Sequence, residues 1–438
     1  MTVPGALIDQ GILALLALAL VVLTGLALRN RPRTLVALVI GVVCLVPVWI
    51  GFGVGSNQGL FIPIVSAACG FAAVVLMVSD RVQSPRRSFA PFDAVVALLL
   101  VLGALSLLIG QTDIALSYLV GLVISGVTGY VFGRFAGLRV DRRWIYGAVG
   151  IVFTGVAVLA IVEFATEWNP FVLLRAGNSL FTEWGDTETR GGVPRVEGAF
   201  GHPIALGASL ALAIPLTMGS RLPVVVRVLM VGTMLTATIL TFSRGAILAA
   251  VLGLVLSLLF QRGALTPAAR IGTAVVLAVG AALSIPSVLE VFGRAGDEAT
   301  NSAAYRTDLV SLLGQVQLLG VSASADRNGA GEVYLDAFRS IDSQFILTGV
   351  STGLLALVAI FVSLAIAVVA VVRGAANAGT IAIVAQLPLL ATVALITQYS
   401  IVLWFVAGLA AVGSLATETV PARTRATVPP QARRGFVT

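Results

Sequence analysis

Residues 190–215, RGGVPRVEGAFGHPIALGASLALAIP, pass from a polar, arginine-bearing segment into a long apolar run within a few positions. Arg190 and Arg195 stand ahead of the run, and His202, the one histidine of the chain, stands at its threshold. An uncharged apolar run of this kind reads as a helix that crosses a membrane. The polar stretch that it closes is about thirty residues long, unusual for a structureless connection. Together they read as one wall of an active site at a membrane surface.

The rest of the chain repeats the apolar theme. Of 438 residues, 58% are hydrophobic and 11% charged, where a soluble protein carries about 25% charged residues, and the mean hydropathy is +1.04. The fold class is therefore all-α and polytopic, a bundle of about 12–13 transmembrane helices with two longer external segments. All 27 basic side chains are arginine, which removes lysine chemistry such as Schiff-base formation. The net charge of +7 reads first as a topology signal and not as a nucleic-acid footprint. Cys44 and Cys69 both fall inside apolar runs and read as small buried hydrophobes. Close glycine pairs such as Gly129 and Gly133 read as helix-packing positions.

Runs able to cross about 30 Å of hydrocarbon fall near residues 8–28, 34–54, 59–79, 93–111, 114–133 and 144–164. After a polar segment they resume near 199–219, 223–241, 244–260 and 270–290, and after a second polar segment near 344–372, 378–396 and 398–416. The domain plan that follows has an N-terminal transmembrane scaffold, 1–164, and a first external segment, 165–198. Central spans with a Ser-Arg-Gly turn, 199–290, lead to a second external segment, 291–341, then C-terminal spans, 342–416, and a basic cytoplasmic tail, 417–438. The first run lacks a positive region before it and has Arg29, Arg31 and Arg33 after it, the order of a first span with its N-terminus outside and not of a cleaved leader. That orientation places 19 of the 27 arginines on the cytoplasmic side, as short cytoplasmic loops require. It also places both long polar segments outside, where no nucleotide-sugar pool exists and a substrate carried out on a lipid fits.

Four outer features can carry chemistry. Arg195 offers a planar fork of donors to a phosphate, or it anchors a span at the headgroups. Ser243, Arg244 and Gly245 form a tight turn between two apolar runs, and Arg244 there is either functional or paired with a carboxylate such as Glu163 or Glu290. Apolar positions from Ala303 to Leu319 recur at helical spacing, an amphipathic surface helix with Arg306 on its first turn. Asp342 precedes a span and either accepts a proton from an attacking hydroxyl, pairs with Arg339, or caps the helix. His202 reads as a substrate contact more than a proton carrier. Asp186 and Glu188 are spaced like a metal-binding acidic pair, but their Gly- and Thr-rich surroundings read as a solvated loop, so no metal and no cofactor is assigned.

Four ordered pieces, RVEGAFGHPIALGASLALAIP, TFSRGAILA, YRTDLVSLLGQVQLLGVSAS and IDSQFILTGVSTGLLAL, resemble the O-antigen ligase and O-antigen polymerase superfamily of bacterial membrane glycosyltransferases. The resemblance implies a GT-C-like fold in the bacterial cytoplasmic (inner) membrane, with the active site facing outside. It implies a polyprenyl-pyrophosphate-linked glycan donor (undecaprenyl pyrophosphate), a glycan acceptor, and polysaccharide-export or chain-length-control proteins as partners. The resemblance implies that Arg195 and Arg306 match the family's external arginines and that Arg244 matches the arginine of its Ser-Arg-Gly turn, with His202 lining the site. Where ligases usually carry a histidine, this chain has Asp342 followed by Ser343, which favours a polymerase. On this reading Asp342, Arg306 and Arg195 are catalytic, and Arg244, His202, Arg190 and Ser243 bind substrate. The alternatives are ligase-like transfer of a finished glycan, a lipid-linked glycan transporter or flippase, and a non-catalytic envelope scaffold.

Overall fold

A computed structural model describes residues 19–54, 60–79, 90–109, 111–261, 266–294, 305, 308–327, 333–335, 338 and 341–416. Arg306 and the tail fall outside the described residues. The described residues are mostly helical, 75%, with little sheet, far above the roughly one-third helix of an average soluble domain. Among the described residues, three helices are long and apolar enough to cross a membrane, which marks the chain as a membrane protein.

The helices follow the apolar runs. They are α1 (residues 19–27), α2 (Pro32–Leu45), α3 (Ile64–Val78), α4 (Pro91–Ser106), α5 (Thr112–Gly121), α6 (Thr128–Arg139), α7 (Arg142–Thr166) and the short α8 (Ser179–Trp184). After them come α9 (Pro203–Met218), α10 (Val224–Leu240), α11 (Arg244–Phe260) and α12 (Pro267–Arg294). The C-terminal set is α13 (Gln344–Thr352), α14 (Leu354–Val372), α15 (Ala378–Ala385), α16 (Leu387–Leu390) and α17 (Thr397–Ala416). A π-helical turn, Leu122–Val127, joins α5 and α6 into one membrane-length rod. The other two of that length are α7 and α14.

The axis of the bundle is α9, the apolar run of residues 190–215. Every residue from Ala205 to Met218 is buried, and α7, α10, α11, α15 and α17 all pack around it. A helix that is apolar on all sides belongs in such a position. Its many small residues let neighbours come close: a Cβ on Gly207 would lie 2.7 Å from the Ala246 Cβ. A second close contact joins α6 and α17, where a Cβ on Gly133 would strike the Phe405 carbonyl. Phe132 and Phe405 stack beside it at 5.3 Å.

Three apolar runs depart from simple spans. The run 34–54 is helical only to Leu45, and Gly51–Val54 pairs antiparallel with Leu60–Pro63, β1 with β2. Pro47 cannot continue a helix, and the β-branched and glycine residues after it suit a hairpin, whose ladder satisfies backbone groups as a helix would. The run 344–372 breaks at Gly353, which has φ +101°. The run 378–396 breaks after Ala385, and residues 391–396 are non-helical. Pro388 in the first turn of α16 denies that turn a donor. The amphipathic helix expected over Ala303–Leu319 is, from Val310, a 3-10 helix to Gln315. Its Leu309 and Leu312 are buried against Ile114, Ile346 and Val350.

Arginines at one end of the bundle close helix ends. Arg139 donates to the Leu76 carbonyl (2.9 Å), Arg227 to Met218 (2.6 Å) and Arg270 to Gln261 (3.1 Å), a favourable use of cations at helix C-termini. Arg134 grips Asp93 through Nε (3.1 Å) and Nη2 (2.9 Å), while the Tyr130 hydroxyl donates to the same carboxylate at 2.6 Å. The opposite end gathers the β1–β2 hairpin, the C-terminus of α7, the N-terminus of α9, the α10–α11 turn and the N-terminus of α17. Gln398 stitches it, donating to the carbonyls of Val46 (2.9 Å) and Ala199 (2.7 Å).

Candidate functional site

At that second end the segment 165–198 is folded down onto the bundle. Asn169 and Asn178 each cap a short turn, accepting from the amides of Phe171 and Phe181 at 2.9 Å. Asn178 also donates to the Trp49 carbonyl (2.9 Å), and the buried Trp49 indole donates to Leu174 (2.8 Å). A two-residue hairpin follows, β3 (Thr189–Arg190) with β4 (Val193–Pro194), turned by Gly191 and Gly192 at φ +54° and +77°. It carries Arg190 and delivers Arg195 to the α10–α11 turn.

Arg195 is buried beneath this hairpin. Its Nε donates to the Thr241 carbonyl at 2.8 Å, its Nη1 is ion-paired with Glu188, and its Nη2 is buried with no hydrogen-bond partner among the described residues. Burial lowers its pKa to about 10, against the opposing pull of Glu188, so it stays charged at neutral pH. Arg190 donates to the Phe242 carbonyl at 2.6 Å. Two arginines thus hold the carbonyl end of α10, and Phe242 takes a left-handed conformation there, φ +47°, to reverse the chain. Ser243 caps α11, accepting from the Ala246 amide at 3.3 Å. Arg244 is the first residue of α11 and is exposed. Glu163, a partner considered for it, is engaged by the Asn169 amide (3.1 Å) and the backbone amides of Glu197 (3.2 Å) and Gly198 (2.9 Å).

His202 is the N-cap of α9. Its Nδ1 accepts from the Ile204 amide at 3.1 Å and its Nε2 lies 3.0 Å from Glu188 Oε1. The accepting Nδ1 fixes the proton on Nε2, aimed at the carboxylate. Both ring nitrogens are thus occupied, which removes His202 as a free proton acceptor. The Trp184 ring meets the imidazole edge-on at 5.5 Å.

Glu188 therefore joins Arg195 and His202 through its two oxygens and is not the solvated loop residue that its sequence surroundings suggest. Burial works to raise its pKa, but the hydrogen bond from His202 and the charges of Arg195 and Arg190 outweigh this and hold it below the ordinary carboxylate range. One further carboxyl group escaped the sequence reading. Glu197 is completely buried, with neither oxygen hydrogen-bonded among the described residues. Burial, then the nearby Glu163, Glu188 and Asp186, push its pKa up to about 9 against the pull of Arg195. It is a neutral acid at physiological pH.

Comparison with protein-family models, with curated proteins and with solved structures finds no match. The site is thus read from its own residues. Arg190, Arg195, His202 and Ser243 meet around Glu188 and the α10–α11 turn. Asp342 stands apart in sequence, but its helix reaches the same end: the Gln344 amide donates to Val393 (3.1 Å) and the Leu395 amide to Gln344 Oε1 (2.9 Å). The end of α16 and the non-helical stretch after it adjoin α11, where a Cβ on Gly245 would lie 2.5 Å from Leu389 and 3.8 Å from Thr392. Asp342 does not cap α13. Ser343 does, accepting from the Ile346 amide at 3.4 Å, which leaves the aspartate half-buried beside the helix start.

Proposed function

We propose that this chain is a glycosyltransferase of the O-antigen polymerase type, at the outer face of a bacterial cytoplasmic membrane, that joins lipid-linked oligosaccharide repeat units. The observation that carries the reading is the meeting of Arg195, Arg190 and His202 with the Ser-Arg-Gly turn at one end of the bundle. Two helix N-termini, those of α9 and α11, open at the same place and add partial positive charge. Such a site suits a departing diphosphate. In the reaction an acceptor sugar hydroxyl attacks the anomeric carbon, the bond from that carbon to the pyrophosphate oxygen breaks, and the proton of the hydroxyl passes to a base. Arg195, Arg190, Arg244 and Arg306 stabilise the charge gathering on the pyrophosphate without a metal. Asp342 orients and deprotonates the acceptor, a role that suits it better than His202, whose nitrogens are committed. Donor and acceptor enter sideways between spans, and export or chain-length-control proteins take the product.

Replacing Arg195 or Arg306 by Lys tests the reading, since lysine keeps the charge and loses the fork. Polymer formation should be abolished while the protein still inserts, and wild-type polymer in both variants would refute the assigned roles. A ligase differs only in its acceptor, giving one discrete transfer where a polymerase gives a ladder. One observation favours a transporter as the second reading: the interrupted segment Ala378–Leu395, because broken spans line transport sites. A transporter would move the lipid-linked glycan across vesicles and form no new glycosidic bond.

A further inference from the structure

We infer that Glu188 is a built-in stand-in for the anionic group of the substrate, its carboxylate holding the diphosphate seat between Arg195 and His202 and leaving it when a phosphoryl group binds. The inference rests on the phosphate-binding reading of this site and adds to it the residue that guards the seat. Its first support is geometric. One Glu188 oxygen engages Arg195 Nη1 and the other lies 3.0 Å from His202 Nε2, the division of contacts that two oxygens of a phosphoryl group would adopt. A carboxylate has only two oxygens. Arg195 Nη2, buried and without a partner among the described residues, is a third donor that a phosphoryl group can satisfy and Glu188 cannot.

Burial supplies the second support. The Arg195 and His202 side chains are 5% and 14% exposed, whereas that of Glu188 is 38% exposed. The donors are fixed in the wall, and the acceptor sits at the mouth. Arg195 is anchored by Thr241 and His202 by the Ile204 amide, so neither moves when its anion changes. Glu188 can release its carboxylate by side-chain rotation alone, because its backbone is held separately by the Arg195 amide, which donates to the Glu188 carbonyl at 3.0 Å.

The arrangement also answers an energetic problem. A buried guanidinium with no counter-ion would destabilise the fold, and Glu188 supplies that counter-ion until substrate arrives. A tethered carboxylate competes as though present at millimolar concentration. Weak monovalent anions therefore lose to it, and a multiply charged phosphoryl group that reaches three donors wins. Glu188 thus sets specificity for highly charged phosphates.

The test uses the full-length protein in detergent or nanodiscs and titrates inorganic pyrophosphate by calorimetry. Glu188→Gln removes the competing charge at nearly constant size and should bind pyrophosphate at least about tenfold more tightly than wild type; Glu188→Ala should do the same. Because His202 is the one histidine of the chain, its ring nitrogens also give a site-specific nitrogen-15 signal in the wild type. That signal should shift when pyrophosphate replaces the carboxylate. Equal or weaker binding by the Glu188 variants, with binding still dependent on Arg195, would overturn the stand-in and leave the phosphate site standing. So would a His202 signal unmoved at saturating pyrophosphate. No binding by any of these proteins, or binding indifferent to Arg195→Lys, would overturn both.

Discussion

Replacing Glu197 by glutamine should make the protein more stable and flatten its response to pH. The Glu197 carboxyl is fully buried, and burial, with Glu163, Glu188 and Asp186 nearby, raises its pKa from 4.5 to about 9 although Arg195 opposes the rise. Between those two values the folded protein keeps a proton that the unfolded chain releases. Stability associated with this group is therefore complete below about pH 4.5 and declines as pH rises towards 9, by about 1.4 kcal/mol per unit. At pH 7.5, three units above the unfolded value, the accumulated cost is about 4 kcal/mol. Glutamine matches the neutral acid in shape and has no proton to lose. Its amide brings donors that also lack partners, which takes back about 2 kcal/mol and leaves a net gain of about 2 kcal/mol at pH 7.5. Thermal unfolding of the purified protein from pH 5.5 to 8.5 reads this directly. The wild-type midpoint should fall relative to that of Glu197→Gln across the range, with the two curves crossing near about pH 6. Parallel profiles, or a variant less stable at every pH, would refute the assignment of a neutral buried acid.

Asp93→Ala should cost about 3–5 kcal/mol, seen as a lower thermal midpoint, because it strips the Arg134 guanidinium of its buried carboxylate. Gly133→Val should sharply reduce the yield of folded protein by driving a side chain into the Phe405 carbonyl. Gly155→Ala, where nothing lies within 4 Å of the added carbon, should be neutral or stabilising by up to about 1 kcal/mol. His202→Asn keeps a good N-cap for α9 and gives up the Glu188 contact; the stability read by thermal unfolding should stay within about 1 kcal/mol of wild type while polymer yield falls.

The helices were open to sequence reading because lipid-length apolar runs leave few alternatives. Hydropathy alone did not separate helix from hairpin at Gly51–Pro63, since the β-branched, aromatic and glycine residues of this hairpin are as apolar as a span. Nor did it show that α9 is the axis, although the absence of any polar face between Ala205 and Met218 is the signal that a buried helix leaves. Arg190, Arg195 and His202 stood out because the first and last are only twelve positions apart. Glu188 did not, because its partners depend on how Gly191 and Gly192 fold the hairpin back. The link between Glu163 and the Glu197 and Gly198 amides spans 34 and 35 positions, beyond any local pattern. At Asp342 the cap expected of the aspartate falls one residue later, on Ser343.

On the proposed function, the Arg195 site binds a polyprenyl pyrophosphate and transfers its glycan. Purified protein in liposomes, given one defined undecaprenyl-pyrophosphate-linked repeat unit and sized by gel for its product, tests that claim most directly. The expected product is a ladder of glycans, with release of the free lipid pyrophosphate, that disappears in Arg195→Lys. A donor that stays unreacted, or that crosses the bilayer with its glycan unextended, would contradict it.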